Sequence, residues 1–69
     1  MSGKEVIKAI SKIGFEIARQ KGSHVIMTKH TDKGKKAVVV PNHKEIDKGT
    51  LLEIIRQADL TKEDFFKLL

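Results

Sequence analysis

A chain of 69 residues, 39% of them hydrophobic and 33% charged, has the size and composition of a single small domain, residues 1–69. It contains no cysteine, which excludes a disulfide scaffold, a zinc finger and a thiol nucleophile. No apolar run is long enough to span a bilayer, and the charged N-terminus lacks the apolar segment of a signal peptide. The sequence therefore predicts no membrane contact and a cytoplasmic location.

The net charge of +5 is concentrated in the first two-thirds of the chain. Residues 1–44 hold ten Lys and Arg against three Asp and Glu, a balance of +7, whereas residues 45–69 hold four against six, a balance of −2. Such a basic region is typical of a protein that binds a polyanion, with nucleic acid the first candidate. Charge alone leaves open the alternative of an ordinary lysine-rich surface.

The first predicted element is a helix within residues 2–14. Ser2 and Glu5 have the spacing of a capping box, and Gly14 can end the helix in a left-handed conformation. The apolar residues at helical spacing, which predict the face that packs on the core, are Val6, Ile7, Ile10 and Ile13.

Three short strands are predicted next. Residues 15–20 alternate between apolar and polar side chains, as a half-buried strand does. A tight turn at residues 21–23 leads into a second strand, 24–30, and a longer basic turn at residues 31–36 leads into a third, 37–41. This arrangement predicts an antiparallel meander. Both later strands have continuous apolar centres, so the pattern leaves open which sheet face His24 occupies.

The last third of the sequence predicts two helices. Thr50 and Glu53 have capping-box spacing before an apolar stripe that includes Leu51, Ile54 and Ile55, and Thr61 is the predicted cap of a short final helix. The predicted fold class is α+β, with the order αβββα, a three-stranded antiparallel sheet covered on one face by helices, and a short extra C-terminal helix. This is also the order of the double-stranded-RNA-binding fold.

Most signatures of catalysis are missing from the sequence. It has no P-loop, no dinucleotide-binding glycine pattern and no set of zinc ligands, so no cofactor and no metal site is predicted. His24 and His30 would lie about 20 Å apart along one strand, which makes a shared metal ion unfavourable. Ser23 and His24 are adjacent in the chain and would point in opposite directions, which argues against a Ser-His-Asp triad.

RNA cleavage is the one reaction that fits a single imidazole with nearby cations. RNA carries its own nucleophile, the 2′-hydroxyl, and imidazole can remove its proton near neutral pH. His24 is the candidate catalytic residue, and the candidate RNA-binding residues are Arg19, Lys21, Ser23, Lys29, Lys33, Lys35 and Lys36. On physical grounds alone, a partly exposed turn histidine without a catalytic role is the favoured interpretation of His24.

Two motifs together resemble those of a known family. They are KGSH at residues 21–24 and a series of P-x-H, G-T-L and I-x-R-Q within residues 40–65. Over nearly the whole chain they resemble the HicA toxins of prokaryotic HicAB toxin–antitoxin systems. The resemblance implies a fold like that of double-stranded-RNA-binding domains and a type II toxin that acts as an mRNA interferase, a metal-independent endoribonuclease.

The resemblance also implies partners and residue roles. The expected partners are single-stranded mRNA and a HicB-type antitoxin that masks the active surface, with no DNA contact by the toxin alone. His24 matches the family's catalytic histidine, and Gly22 and Ser23 match the turn that presents it. His43 matches a second recurrent histidine, for which we expect a structural role in capping the loop before the helix.

Three hypotheses follow from the sequence. The first is a metal-independent endoribonuclease toxin. The second is a non-catalytic RNA-binding module of the same fold, which would use the same lysines and leave His24 idle. The third is a protein-interaction domain whose sheet face or edge binds a partner, and it is compatible with the first because an antitoxin must cover the active surface.

Overall fold

The computed structural model describes residues 1–69 and contains three helices and one sheet. In chain order the elements are α1 (Gly3–Ser11), β1 (Glu16–Lys21), β2 (His24–Thr31), β3 (Gly34–Pro41), α2 (Lys48–Gln57) and α3 (Lys62–Phe66). The strands lie in the order β1-β2-β3, and both pairs are antiparallel. The predicted α+β class and αβββα order are confirmed. None of the three helices combines the length and apolar character needed to cross a membrane.

The predicted ends of α1 are confirmed. The Ser2 hydroxyl accepts a hydrogen bond from the Glu5 backbone N–H, and the Glu5 carboxylate accepts one from the Ser2 backbone N–H. This reciprocal pair is a capping box, which satisfies amide groups that have no partner within the helix. Gly14 adopts a φ of +102° and turns the chain toward β1.

The predicted capping box of α2 is wrong, because the helix begins three residues earlier. Asp47 is the N-cap, and its carboxylate accepts hydrogen bonds from both the hydroxyl and the backbone N–H of Thr50. Both bonds hold the pKa of the Asp47 carboxyl below its usual range, and the bond from the Thr50 hydroxyl has the larger effect. Glu53 forms an ion pair with Arg56 one turn later instead of capping the helix. The predicted cap of α3 at Thr61 is confirmed.

The core lies between the helices and one face of the sheet. In β2 and β3 buried residues alternate with more exposed ones, so Val25, Met27, Val38 and Val40 all point toward the helices. The complete buried cluster is Val6, Ala9, Ile10, Phe15, Val25, Met27, Val38, Val40, Ile46, Ile54, Ile55, Ala58 and Phe65. The predicted one-sided covering of the sheet is therefore confirmed. Leu51, predicted as part of the packed stripe, is only half-buried.

β1 is an edge strand, and the predicted half-buried alternation of residues 15–20 is wrong. All six residues of β1 are exposed, and Ile17 leaves 58% of its surface accessible. The helices pack mainly against β3, and a β-bulge between Ile17 and Arg19 interrupts the alternation of side chains. Phe15, which precedes the strand, is buried and packs into the core.

The turn between β2 and β3 is shorter than predicted. Thr31 pairs with Gly34, so the loop consists of Asp32 and Lys33 rather than residues 31–36. The Thr31 hydroxyl donates a hydrogen bond to the Gly34 carbonyl and accepts one from the Lys33 backbone N–H, which closes the loop. Lys35 and the lysine that follows it consequently lie on β3, and these two lysines point to opposite faces of the sheet.

Candidate active site

His24 directly follows the two-residue turn that joins β1 to β2. Lys21 pairs with His24 in the sheet, so only Gly22 and Ser23 lie between the strands. Gly22 has a φ of +59°, and a Cβ built on it would meet no atom within 4 Å. The requirement for glycine is therefore conformational, since a type II′ turn needs a positive φ at its first loop position. The turn places His24 as the first residue of β2.

His24 lies on the face of the sheet that the helices leave uncovered. Its neighbour Val25 is buried beneath the helices, and successive strand residues point to opposite faces. The His24 side chain is exposed, and its partners in register are Lys21 on β1 and Pro41 on β3. The open face, as we call this surface, consists of Glu16, Arg19, Lys21, His24, Ile26, Thr28, His30, Lys35, Ala37, Val39 and Pro41.

A second histidine, His43, contacts the turn that carries His24. Its Nε2 lies 3.3 Å from the Ser23 hydroxyl oxygen, within hydrogen-bonding distance. The backbone supports this contact, because Asn42 N–H donates to the Ser23 carbonyl at 2.6 Å and Gly3 N–H donates to the His43 carbonyl at 2.8 Å. Asp47 rather than His43 caps α2, and the His43 side chain contacts the turn at Ser23.

His24 and His43 line one shallow cleft of about 390 Å³. It lies at the end of the sheet where β2 begins and β3 ends. Both side chains are exposed. The other residues of the cleft come from β3, from the segment that leads into α2 and from the first turn of α2, and they are Val39, Pro41, Glu45, Ile46, Asp47 and Thr50. No group of three or more His, Asp or Glu side chains is arranged to hold a metal ion. The cleft therefore offers two imidazoles as its groups for proton transfer near neutral pH.

Five of the seven predicted RNA-binding residues lie on strands and divide between the two faces of the sheet, whereas Ser23 and Lys33 lie in the turns. Arg19 and Lys21 on β1 lie on the open face with His24, and Lys35 lies on it farther along β3, opposite His30. These three cations belong to the same surface as the candidate catalytic histidine. Ser23 belongs to the turn itself, where it is exposed and contacts His43.

Lys29 and Lys36 pair with each other in register but point toward the helix side of the sheet. The Lys36 ammonium donates a hydrogen bond to the Asp59 carboxylate at 3.0 Å, and this contact holds the pKa of Asp59 below its usual range. The Lys29 ammonium lies 5.8 Å from the centroid of the Phe15 ring, a cation–π distance. Both lysines thus serve contacts within the fold, on the side of the sheet away from His24.

Sequence reasoning missed the contact between Ser23 and His43. The sequence feature that could have revealed this contact is the β2–β3 turn, because a two-residue loop at Asp32 and Lys33 sets the register of the whole hairpin. That register pairs His24 with Pro41 and brings residues 42 and 43 beside the turn at Ser23. Assigning residues 31–36 to the turn obscured this register.

A comparison with protein families identifies the chain. The sequence model described as the HicA toxin of bacterial toxin–antitoxin systems matches residues 3–60, which include α1, the whole sheet and α2. The match ends before α3 begins. A search of curated proteins found no significant match. The matched segment covers far more than half of the 69 residues and contains both the Gly22–His24 turn and His43, and the chain therefore belongs to the HicA family of toxins, which act in bacterial toxin–antitoxin systems.

Proposed function

We propose that this toxin is an endoribonuclease of the mRNA interferase type that cleaves single-stranded RNA without a metal ion. The observation that carries the proposal is the position of His24, exposed on the open face and directly opposite Lys21 in the sheet. An extended RNA strand can approach this imidazole from the side of the sheet that the helices leave uncovered. Membership of a toxin family supports an activity that harms the cell, and the type of reaction is inferred from the residues of the site.

The proposed reaction uses the nucleophile that RNA itself carries. The neutral imidazole of His24 takes the proton of a 2′-hydroxyl, and the 2′-oxygen attacks the adjacent phosphorus. A bond forms between phosphorus and the 2′-oxygen, and the bond to the 5′-oxygen of the next nucleotide breaks. The products are a 2′,3′-cyclic phosphate and a 5′-hydroxyl end. A positioned general base contributes roughly 10²–10⁴-fold to such a rate.

Cations on the open face supply the binding that this reaction needs. Arg19 and Lys21 follow the bulge in β1 and lie on the same face as His24, where they neutralise phosphate oxygens. Lys35 extends the basic surface along β3. Because these side chains contact phosphates rather than base edges, we expect affinity with little sequence preference. The exposed Ser23 hydroxyl adds a polar contact beside the scissile phosphate.

The antitoxin is, in this proposal, a HicB-type protein that covers the open face. The surface around His24 combines cations with apolar side chains, including Val39, which leaves 42% of its surface exposed. A partner that presents carboxylates and apolar groups would match this composition and exclude RNA. Inhibition would then follow from occlusion of His24 and of the cations Arg19, Lys21 and Lys35.

Substitution of His24 by Ala tests the proposed function. The matched control is His30→Ala, since His30 is also an exposed imidazole of β2 but lies outside the cleft that His24 and His43 line. We expect His24→Ala to fold, to bind RNA almost as well as the wild type and to lose ~10²-fold or more in cleavage rate. The His30 variant should cleave at the wild-type rate. Both rates are measured on a labelled single-stranded RNA with excess chelator present, and product ends are identified by mass spectrometry.

Three results would overturn the proposal. Full cleavage by the His24→Ala variant would remove the histidine from the reaction, and loss of wild-type cleavage on chelation would establish dependence on a metal ion. RNA binding without any cleavage by the wild type would instead support a non-catalytic RNA-binding module.

A further inference from the structure

Cleavage by a 2′-hydroxyl leaves one chemical requirement that His24 does not meet. As the phosphorus–oxygen bond breaks, negative charge develops on the 5′-oxygen, and an alkoxide is a poor leaving group. A positioned acid that protonates this oxygen contributes as much as the base that activates the nucleophile. If His24 removes the first proton, a different group must deliver the second.

His43 is placed to be that group. Its ring contacts the hydroxyl of Ser23, the residue immediately before His24, and both imidazoles line the same cleft. Two backbone hydrogen bonds hold this segment in place. The Gly3 N–H donates to the His43 carbonyl, and the Asn42 N–H donates to the Ser23 carbonyl. The ring is therefore both exposed to a substrate and fixed relative to the turn that carries His24.

The acidic residues of the cleft are engaged in other contacts. Glu45 forms an ion pair with the amino group of Met1, and the Asp47 carboxylate accepts the hydrogen bonds that cap α2. Carboxyl groups are in general poor proton donors at neutral pH. On its other side His43 borders a shallow depression that Lys4 and Lys44 also line, and these ammonium groups can contact a phosphate. Among the side chains that line the cleft with His24, the His43 imidazole is the one suited to donate a proton.

We propose that His43 is the general acid of this toxin and acts in a pair with His24, a role that rests on the proposed ribonuclease function. The His24 imidazole accepts the 2′-hydroxyl proton as the bond from the 2′-oxygen to phosphorus forms. The bond from phosphorus to the 5′-oxygen breaks, and the His43 imidazolium gives its proton to that oxygen. One proton is taken and one is delivered, so His24 ends protonated and His43 neutral. Proton exchange with water restores both before the next turnover.

Replacement of the leaving 5′-oxygen by sulfur distinguishes a general-acid role of His43 from a structural role. The cleavage site is first mapped on a short single-stranded RNA with the wild-type protein. The same RNA is then made with sulfur in place of the bridging 5′-oxygen at that site. A thiolate leaves without protonation, so cleavage of the sulfur-containing RNA does not require a general acid. Rates are measured on both RNAs for the wild type, His24→Ala, His43→Ala and the control His30→Ala.

We expect His43→Ala to lose ~10²–10⁴-fold in rate on the ordinary RNA and to regain a rate within about tenfold of the wild type on the sulfur-containing RNA. His24→Ala should be slow on both, because the base is needed for either leaving atom. His30→Ala should match the wild type on both. Circular dichroism and RNA affinity are measured for each variant, and His43→Gln is tested in parallel in case the alanine variant does not fold.

The outcomes distinguish failure of the general-acid role from failure of the proposed ribonuclease function. Equal losses on the two RNAs for a folded His43 variant, or no loss on either, would overturn the general-acid role and leave the His24 proposal standing. Rescue of His24→Ala by sulfur, with no rescue of His43→Ala, would reverse the two roles and overturn the assignment. Full activity of His24→Ala on the ordinary RNA would instead remove the proposed function itself.

Discussion

At the scale of single residues, Gly3 connects the start of α1 to the segment that carries His43. A Cβ on Gly3 would lie 2.4 Å from the Pro41 carbonyl oxygen and 2.6 Å from the Asn42 Cα, and both are backbone atoms. Gly3→Ala should therefore lower the free energy of unfolding by ~1–3 kcal/mol, the usual cost of overpacking, although alanine favours a helix. The urea midpoint of unfolding measures this loss.

The matched control for Gly3→Ala is Gly49→Ala, in the first turn of α2. A Cβ there would meet only the Asp47 carboxylate, at 3.3 Å, and a side chain can move where backbone cannot. We expect a clearly smaller change in the urea midpoint for this variant. Equal or greater stability of Gly3→Ala relative to the wild type would show that residues 41–42 can shift away from the helix.

At the scale of elements, α2 is held to the sheet by a few side chains that are almost completely buried. Ile54 is 1% exposed, whereas Leu52 on the same helix is half-buried and lies outside the core cluster. Ile54→Ala should lower the free energy of unfolding by ~2–5 kcal/mol, because the cavity that it leaves is enclosed. The loss is a large part of the roughly 5–15 kcal/mol that stabilises a typical domain. Chemical denaturation followed by circular dichroism measures it.

The control for this element is Leu52→Ala, which removes the same kind of side chain from a partly accessible position. Its cost should be clearly smaller than that of Ile54→Ala. Similar losses for the two variants would mean that helix α2 is stabilised along its length rather than through its buried stripe. Cleavage by both variants, measured where they are folded, should stay near the wild-type rate because neither side chain lines the cleft of His24 and His43 or belongs to the open-face cations.

At the scale of the whole molecule, the sheet separates two sets of basic residues that the sequence does not distinguish. Arg19, Lys21 and Lys35 lie on the open face, and Lys29 and Lys36 lie on the helix side. Changing the three open-face residues to Gln should weaken RNA binding and flatten the plot of log affinity against log salt concentration. The slope should decrease by about 0.7 for each phosphate that the variant no longer neutralises. Fluorescence anisotropy with single-stranded RNA, at several salt concentrations, measures both effects.

The control for charge is the double variant of Lys29 and Lys36 to Gln. It removes cations from the same sheet but from the side away from His24, so the salt slope should stay at its wild-type value. A flatter slope in this double variant, together with an unchanged slope in the open-face triple variant, would place the RNA on the helix side. Circular dichroism confirms that removal of the Lys36–Asp59 ion pair leaves the protein folded.

The sequence by itself determined the features that depend on neighbouring residues. The capping box at Ser2 and Glu5, the cap at Thr61 and the left-handed Gly14 are local hydrogen-bonding and backbone preferences, and the structure contains all three. The αβββα order followed from the same short-range patterns. The predicted start of α2 is three residues too late, because Asp47 and Thr50 are both favourable N-cap residues and the helix begins after Asp47.

Only the tertiary structure decided how distant residues meet. Which sheet face His24 occupies depends on where the helices pack, and the continuous apolar centres of β2 and β3 are compatible with either face. β1 is exposed because the helices pack mainly against β3 and do not extend over the whole width of the sheet. The residue pattern within β1 does not indicate where the helices pack. The contact between Ser23 and His43 joins residues 20 positions apart, and it exists because hairpin register and the packing of α1 bring both to one end of the sheet.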